Sequence, residues 1–222
     1  MVNKLMNKLS DFYETEDGSK LQFTTDTQMS QFIFEAIKAF EFRFPDRKNA
    51  IHTYFSIWKQ IFDKLDYNAI DRIPMNPFQW LMKCPFPSFN LYSVFSVDSI
   101  FKDSEFLRKS TLKEANLRIL NPSPLSTAPL RPVDWNNPIL ICDALSESII
   151  IDGNHRYQNA FVQKLDIPVL ILSYKDLSKQ HFINEFNFAV FICAEETKQF
   201  AVSFDDGAIM KSYLRIGNKF NL

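Results

Sequence analysis

An α+β / α/β fold, a mixed sheet with a helical N-terminal region, is predicted for this 222-residue chain from three features. Apolar residues recur at helical spacing through the first third. Short β-branched and aromatic runs take over after residue 90. Between Pro138 and Leu172 such runs alternate with turn residues and one helix. The sequence is 46% hydrophobic, with 23 Phe and only 4 Gly, which suits a packed interior and not a disordered chain. Its length fits one medium domain, or two small ones sharing a core. Periodicity divides it into a helical N-terminal region, 1–88, and an α/β domain, 89–222, ending in a β meander.

Along the first region, Ile33, Ile37, Phe40 and Phe44 mark one helix. Asp46 then caps a second, whose inner face is Ile51, Tyr54, Phe55, Trp58, Ile61, Phe62 and Leu65. That aromatic stripe is the form in which a helix buries itself, and core packing is the reading it supports. Pro74, Pro77, Pro85 and Pro87 break up residues 66–90, leaving a turn of helix around Phe78–Leu81. Leu91–Val97 reads as a strand. A helix is expected over 99–116, where Thr111 and Glu114 have the spacing of a capping box, and a short strand over 117–120. The segment 121–137 is rich in proline (Pro122, Pro124, Pro129, Pro132) and reads as a long loop.

The following segment reads as strand, turn, strand, tight turn, helix, strand. Pro138–Cys142 and Ile149–Ile151 are the first two strands, the second apolar on both faces. Asp152-Gly153-Asn154 turns the chain into a helix over 157–165, and Asp166-Ile167-Pro168 stops it before the strand Val169–Leu172. In the tail a helix is expected over 177–186. Strands are expected over 189–193, 200–204 and 209–216, with Asp206-Gly207 as a hairpin turn between the last two.

Lys and Arg total 25 against 26 Asp and Glu, a net charge of -1. Such a balance exerts no general pull on nucleic acid or anionic lipid, so neither partner is favoured, though a local basic groove stays open. Three cysteines, Cys84, Cys142 and Cys193, without CxxC spacing indicate neither a disulfide framework nor a zinc site. No apolar signal core opens the chain and no stretch is long enough to span a bilayer. A cytoplasmic protein with no membrane partner is the expectation.

Chemistry concentrates in Asp152-Gly153-Asn154-His155-Arg156. The first amides of a helix lack internal partners and lie at the positive end of its dipole, so such a terminus receives phosphate or carboxylate. Gly153 lets the backbone approach an anion closely. Arg156, one turn in, suits a fork onto phosphate oxygens. His155 suits hydrogen-bond donation or proton transfer, and Asp152 suits a metal, a hydroxyl or the role of base. The same residues equally suit a plain structural role, with Asp152 as a cap, Gly153 as a turn and Arg156 paired with an acid. No Gly-Lys-Ser/Thr follows, so this is not a Walker A loop, and a dinucleotide fingerprint lacks its second and third glycines. His52 and His181 on expected helices read as structural histidines, and Glu195-Glu196 as a solvated turn.

Taken together, Ile149 to Ala160, then Ile167-Pro168-Val169, with Pro138-Ile139-Leu140-Ile141 upstream, resemble the ParB/sulfiredoxin superfamily: an apolar strand, D-G-x-H-R, a helix opening on an aromatic, then I-P-V. The likeness covers about residues 117 to 174. It implies a nucleotide-binding α/β fold in which Gly153, Asn154, His155 and Arg156 hold nucleotide phosphates. Sulfiredoxins carry a reactive Cys where Asn154 stands, so sulfinic-acid reduction is not expected. Partition-type members carry a Glu-Arg pair where Asn154-His155 stands, which disfavours a chromosome-partition clamp.

A third branch, the free-serine kinases, is similar at D-G-x-H-R and at Leu130-Arg131-Pro132-Val133-Asp134, with Asp in place of Glu. That likeness implies Asp134 as general base, Asp152 placing a metal or the acceptor, and Arg131 on a phosphate or carboxylate; Arg131-Pro132 also suits an ordinary turn. The implied activity is a nucleotide-dependent phosphotransferase or NTP hydrolase, using ATP or CTP with Mg²⁺. The alternative is a nucleotide-gated regulator without turnover, binding DNA or protein, of the mobile-element or defence kind.

Overall fold

The computed structural model describes residues 21–71, 77–83, 90–109, 111–115, 138–143, 148–200 and 204–221. The expected strand at 117–120, the proline-rich segment with Arg131 and Asp134, and Cys84 lie outside them.

Helix α1 (Asp26–Arg43) starts at Thr25, whose hydroxyl accepts from the Gln28 amide while the Gln28 side chain accepts from the Thr25 amide. A 3-10 turn, Pro45–Arg47, leads into α2 (Lys48–Phe62), so Asp46 lies in that turn and caps nothing. The expected stripe is buried from Ile51 to Phe62, with Tyr54, Phe55 and Trp58 fully so, while Leu65 lies past the end of α2 and is partly buried. Strands β1 (Pro77–Lys83) and β2 (Asn90–Ser96) pair antiparallel, Phe78 opposite Phe95 and Trp80 opposite Ser93. Short helices α3 (Val97–Lys102) and α4 (Ser104–Lys109) follow.

The second sheet holds β3 (Thr111–Ala115), β4 (Ile139–Asp143), β5 (Ser148–Asp152) and β6 (Ile167–Ser173), in the order β3-β6-β4-β5. β5 runs antiparallel to β4; α5 (Asn154–Gln163) crosses over, and β6 enters on the far side of β4, parallel to it. The two-residue period of the strands sorts their side chains. Ile139, Ile141, Ile150, Ile167 and Val169 pack with Tyr157 and Ala160 of α5 in one small core. Leu140, Cys142, Ile151 and Leu172 face the main core. That core also gathers α1, α2 and the final helices α6 (Glu185–Gln199) and α7 (Asp206–Phe220), and the β1–β2 pair spans the boundary drawn at residue 88.

The architecture is thus mixed α and β, and several expected elements change type. Two strands of the expected C-terminal β meander are helical, 189–193 in α6 and 209–216 in α7, and most of the third, 201–203, lies outside the described residues. α6 is buried at every position from Phe186 to Thr197, so its apolar run carries no amphipathic period and imitates a strand. Asp206-Gly207 is the first turn of α7, and Asp205 is its cap, accepting from the Ala208 amide at 2.8 Å. Phe78–Leu81 lies in a strand; proline at strand position one costs no ladder bond that matters there. Thr111 to Glu114 lies in β3, paired with β6, instead of capping a helix. The expected helix at 177–186 is a 3-10 turn, Lys179–His181, followed by an extended step at Phe182. No helix among the described residues is long and apolar enough to cross a membrane.

Candidate functional site

β5 ends at Asp152, Gly153 takes a left-handed conformation (φ 95°, ψ 22°), and α5 begins at Asn154. The turn is abrupt because only glycine adopts that conformation at no steric cost. The first helical bond is from the Tyr157 amide to the Gly153 carbonyl, 2.8 Å, so the amides of Asn154 and His155 lie ahead of the ladder. No side chain caps this end, whereas Thr25, Asn184 and Asp205 cap α1, α6 and α7. The helix dipole and the leading amides make the corner electropositive.

Arg156 folds back over the turn. Its Nη2 donates to Asp152 Oδ2 at 2.7 Å and its Nη1 to the Pro138 carbonyl at 3.1 Å. Both members of the pair are mostly withdrawn from solvent. The guanidinium sits against the glycine: a Cβ built on Gly153 meets Arg156 Nη2 at 3.0 Å, Ile139 Cγ1 at 3.1 Å and Arg156 Cζ at 3.2 Å. Gly153 is therefore fixed twice, by its backbone conformation and by the side chains packed on it. His155 Nε2 is buried with no hydrogen-bond partner. A buried polar atom left unmatched costs stability of order 1–3 kcal/mol, and an anion oxygen is one group that satisfies it.

The structure brings Asp152, Gly153, Asn154, His155 and Arg156 together at one corner. Asp134 and Arg131 fall outside the described residues. The Pro138 carbonyl, which sequence reasoning passed over, joins the corner because β4 starts beside the end of β5; no local signal in Pro138 announces it. For a divalent cation the donor set is poor. Asp152 already carries Arg156, and among the described residues no group of three or more His, Cys, Asp or Glu gathers as a metal site.

Two other clusters compete for attention. His181 is buried, with Nδ1 accepting from the Ser178 amide at 3.2 Å and Nε2 3.1 Å from Asp103 Oδ2. Asp103 also accepts from the Phe106 amide at 2.9 Å and from Gln180. An open hollow of about 420 Å³ lies here, lined by Ser99, Lys102, Asp103, Ser104, Glu105 and Gln180. Both ring nitrogens of His181 are thus engaged by protein partners, and its side chain lies in a 3-10 turn instead of the expected helix. His52 meets Glu41 at the surface, 2.9 Å away.

Glu195 and Glu196 are fully buried, not a solvated turn. Lys198 pairs with Glu195 at 2.8 Å, and Arg215 with Glu196. Burial also pushes the Cys142 thiol up, with the Glu195 charge adding to it, so that sulfur stays protonated and inert. The chain matches no family model, no curated protein and no solved structure.

Proposed function

We propose that this chain is a nucleotide- or phosphate-binding protein of the ParB/sulfiredoxin kind, with the β5–α5 corner as the phosphate receptor. One observation carries the reading: a strand passes through left-handed Gly153 directly into a helix whose leading amides no side chain caps. The sequence likeness adds His155 to the receptor. Nucleoside triphosphates, ATP or CTP, are the ligands to which the sequence likeness points.

Binding without turnover is the second reading, and Asp152 favours it. A carboxylate oxygen already held at 2.7 Å by a guanidinium is occupied, which makes it a poor magnesium ligand. Turnover as a phosphotransferase or hydrolase then requires a base from elsewhere, for which Asp134 is the sequence candidate. No step through Mg²⁺ follows from the residues gathered here.

The test is calorimetric titration of the full chain with ATP, CTP and inorganic phosphate, each with and without Mg²⁺, followed by product analysis. Saturable binding of any of the three supports the receptor, and released phosphate or a phosphorylated acceptor supports turnover. Heat of dilution alone in every titration sinks the proposal.

A further inference from the structure

We infer that Arg156 is a strut that shapes the β5–α5 corner, with Asp152 as its positioning partner, while the phosphate contacts come from main-chain amides; the inference rests on the reading of that corner as a phosphate site. The D-G-x-H-R pattern taken alone invites the opposite view, an arginine fork reaching for the ligand. The geometry points inward instead. Nη2 holds Asp152 Oδ2 and Nη1 holds the Pro138 carbonyl, so one guanidinium ties the end of β5 to the residue preceding β4. Its Nη2 and Cζ stand 3.0 and 3.2 Å from where a Cβ on Gly153 would lie, filling the space that any other residue's Cβ would take. Swinging this fork out to a ligand breaks a charge-assisted bond and strands a carboxylate that is itself largely withdrawn from water. The plus and minus charges of the pair cancel at short range. The attraction for an anion is left to the dipole of α5 and its leading amides.

This assignment makes a sign prediction. A ligand-gripping Arg156 is restrained by Asp152, so removing that negative charge tightens anion binding. A strut loses its anchor by the same change, and binding weakens.

The experiment uses full-length protein carrying Asp152→Asn, Arg156→Gln or both, titrated with ATP by calorimetry and melted in phosphate-free buffer. The strut predicts that each single change weakens ATP binding about tenfold and that the double change is no worse than either, because the two act as one unit. Arg156→Lys, which keeps the charge without the fork, fails to restore affinity. Tighter ATP binding by Asp152→Asn overturns the inference. So does a loss confined to Arg156→Gln, and so does unchanged affinity in all variants with only the melting temperature lowered. Should the unaltered chain take up no ATP, CTP or inorganic phosphate, the phosphate-site reading fails by itself. The strut is then decided by the melts: non-additive losses at the two positions uphold it, and additive losses overturn it.

Discussion

Arg215 lays its guanidinium along the Glu196 carboxylate, Nε 2.7 Å from Oε1 and Nη2 2.6 Å from Oε2, tying α7 to a side chain with no solvent exposure. Ser212 adds a donor at 2.8 Å and itself meets the Tyr54 hydroxyl at 3.2 Å. The Glu196 bond holds the Arg215 charge more firmly than usual against the opposing effect of burial. Arg215→Ala strands a buried carboxylate, and a loss of about 3 kcal/mol in urea unfolding is expected. Arg215→Lys recovers part of it, lacking the two-point fork. Replacing both partners by apolar residues of similar size, Glu196→Met with Arg215→Met, costs less than Arg215→Ala alone. A loss by Arg215→Ala no larger than at an exposed salt bridge removes the network from any account of how α7 docks.

This network also marks where the sequence stops being readable. Its two glutamates are adjacent and charged, and locally they look solvated; what buries them is Lys198 one turn away and Arg215 on another helix. α6 misleads for a related reason: buried on all sides, it lacks the period that separates helix from strand in a short apolar run. In α7 the buried residues Ile209, Ser212 and Ile216 do keep helical spacing, but a serine in the middle hides it. By contrast, the order of elements from Ile139 to Ser173 was legible, although α5 runs Asn154–Gln163 instead of 157–165 and β6 already begins at Ile167, so Ile167-Pro168 opens the strand. The apolar runs of the strands and Gly153 between strand and helix carry that signal. The candidate corner was legible as a local string, its geometry only in part. The Arg156–Asp152 pair is local, four residues apart, and matches the plain pairing with an acid that the sequence also allowed, whereas the bond to the Pro138 carbonyl depends on β4 lying beside β5.

Acid sensitivity is expected from Asp103. The Phe106 amide holds its carboxyl below the usual range, and His181 and Gln180 assist against the opposing effect of burial. A carboxylate depressed in the folded state contributes stability above its unfolded value, and that contribution disappears as pH falls through the folded value. The loss therefore falls below about pH 4. Melting temperatures recorded across this range decline less steeply for Asp103→Asn, which keeps an acceptor for the Phe106 amide, than for the unaltered chain. Parallel curves leave the acid response to other groups.

At alkaline pH Lys219 gives a slope of the same sign, stability rising with pH, though here the charged form is the one that burial disfavours. Its Nζ donates to the Lys175 and Leu177 carbonyls at 2.9 and 2.6 Å, and burial pushes its pKa down to about 8. Between that value and the usual lysine range the unfolded chain binds the proton that the folded chain has released, so stability rises with pH. The window closes near pH 10. Above it the buried tyrosines, Tyr54 and Tyr174, hold protons that the unfolded chain loses, which reverses the slope. Unfolding free energies from pH 8 to about 10 should therefore climb for the unaltered chain relative to Lys219→Met. A constant difference between the two refutes the assignment.

Gly153→Ala separates the two constraints on the corner. The first is backbone conformation, since φ of 95° in a residue with a side chain costs about 1 kcal/mol or more. The second is space: the new methyl meets Arg156 Nη2 at 3.0 Å and Ile139 Cγ1 at 3.1 Å, and the arginine is the part able to move. Shifting it loosens the bonds to Asp152 and Pro138. Gly153→Ala is thus expected to lower unfolding stability by about 2 kcal/mol and to weaken ATP binding with it. In the Arg156→Gln background the conflict with the guanidinium is relieved while the contact with Ile139 Cγ1 and the backbone cost remain, so the same substitution costs less there. Chemical denaturation of the four chains closes the cycle. An identical cost of Gly153→Ala in both backgrounds shows that the guanidinium and the glycine do not depend on each other, contrary to their packing.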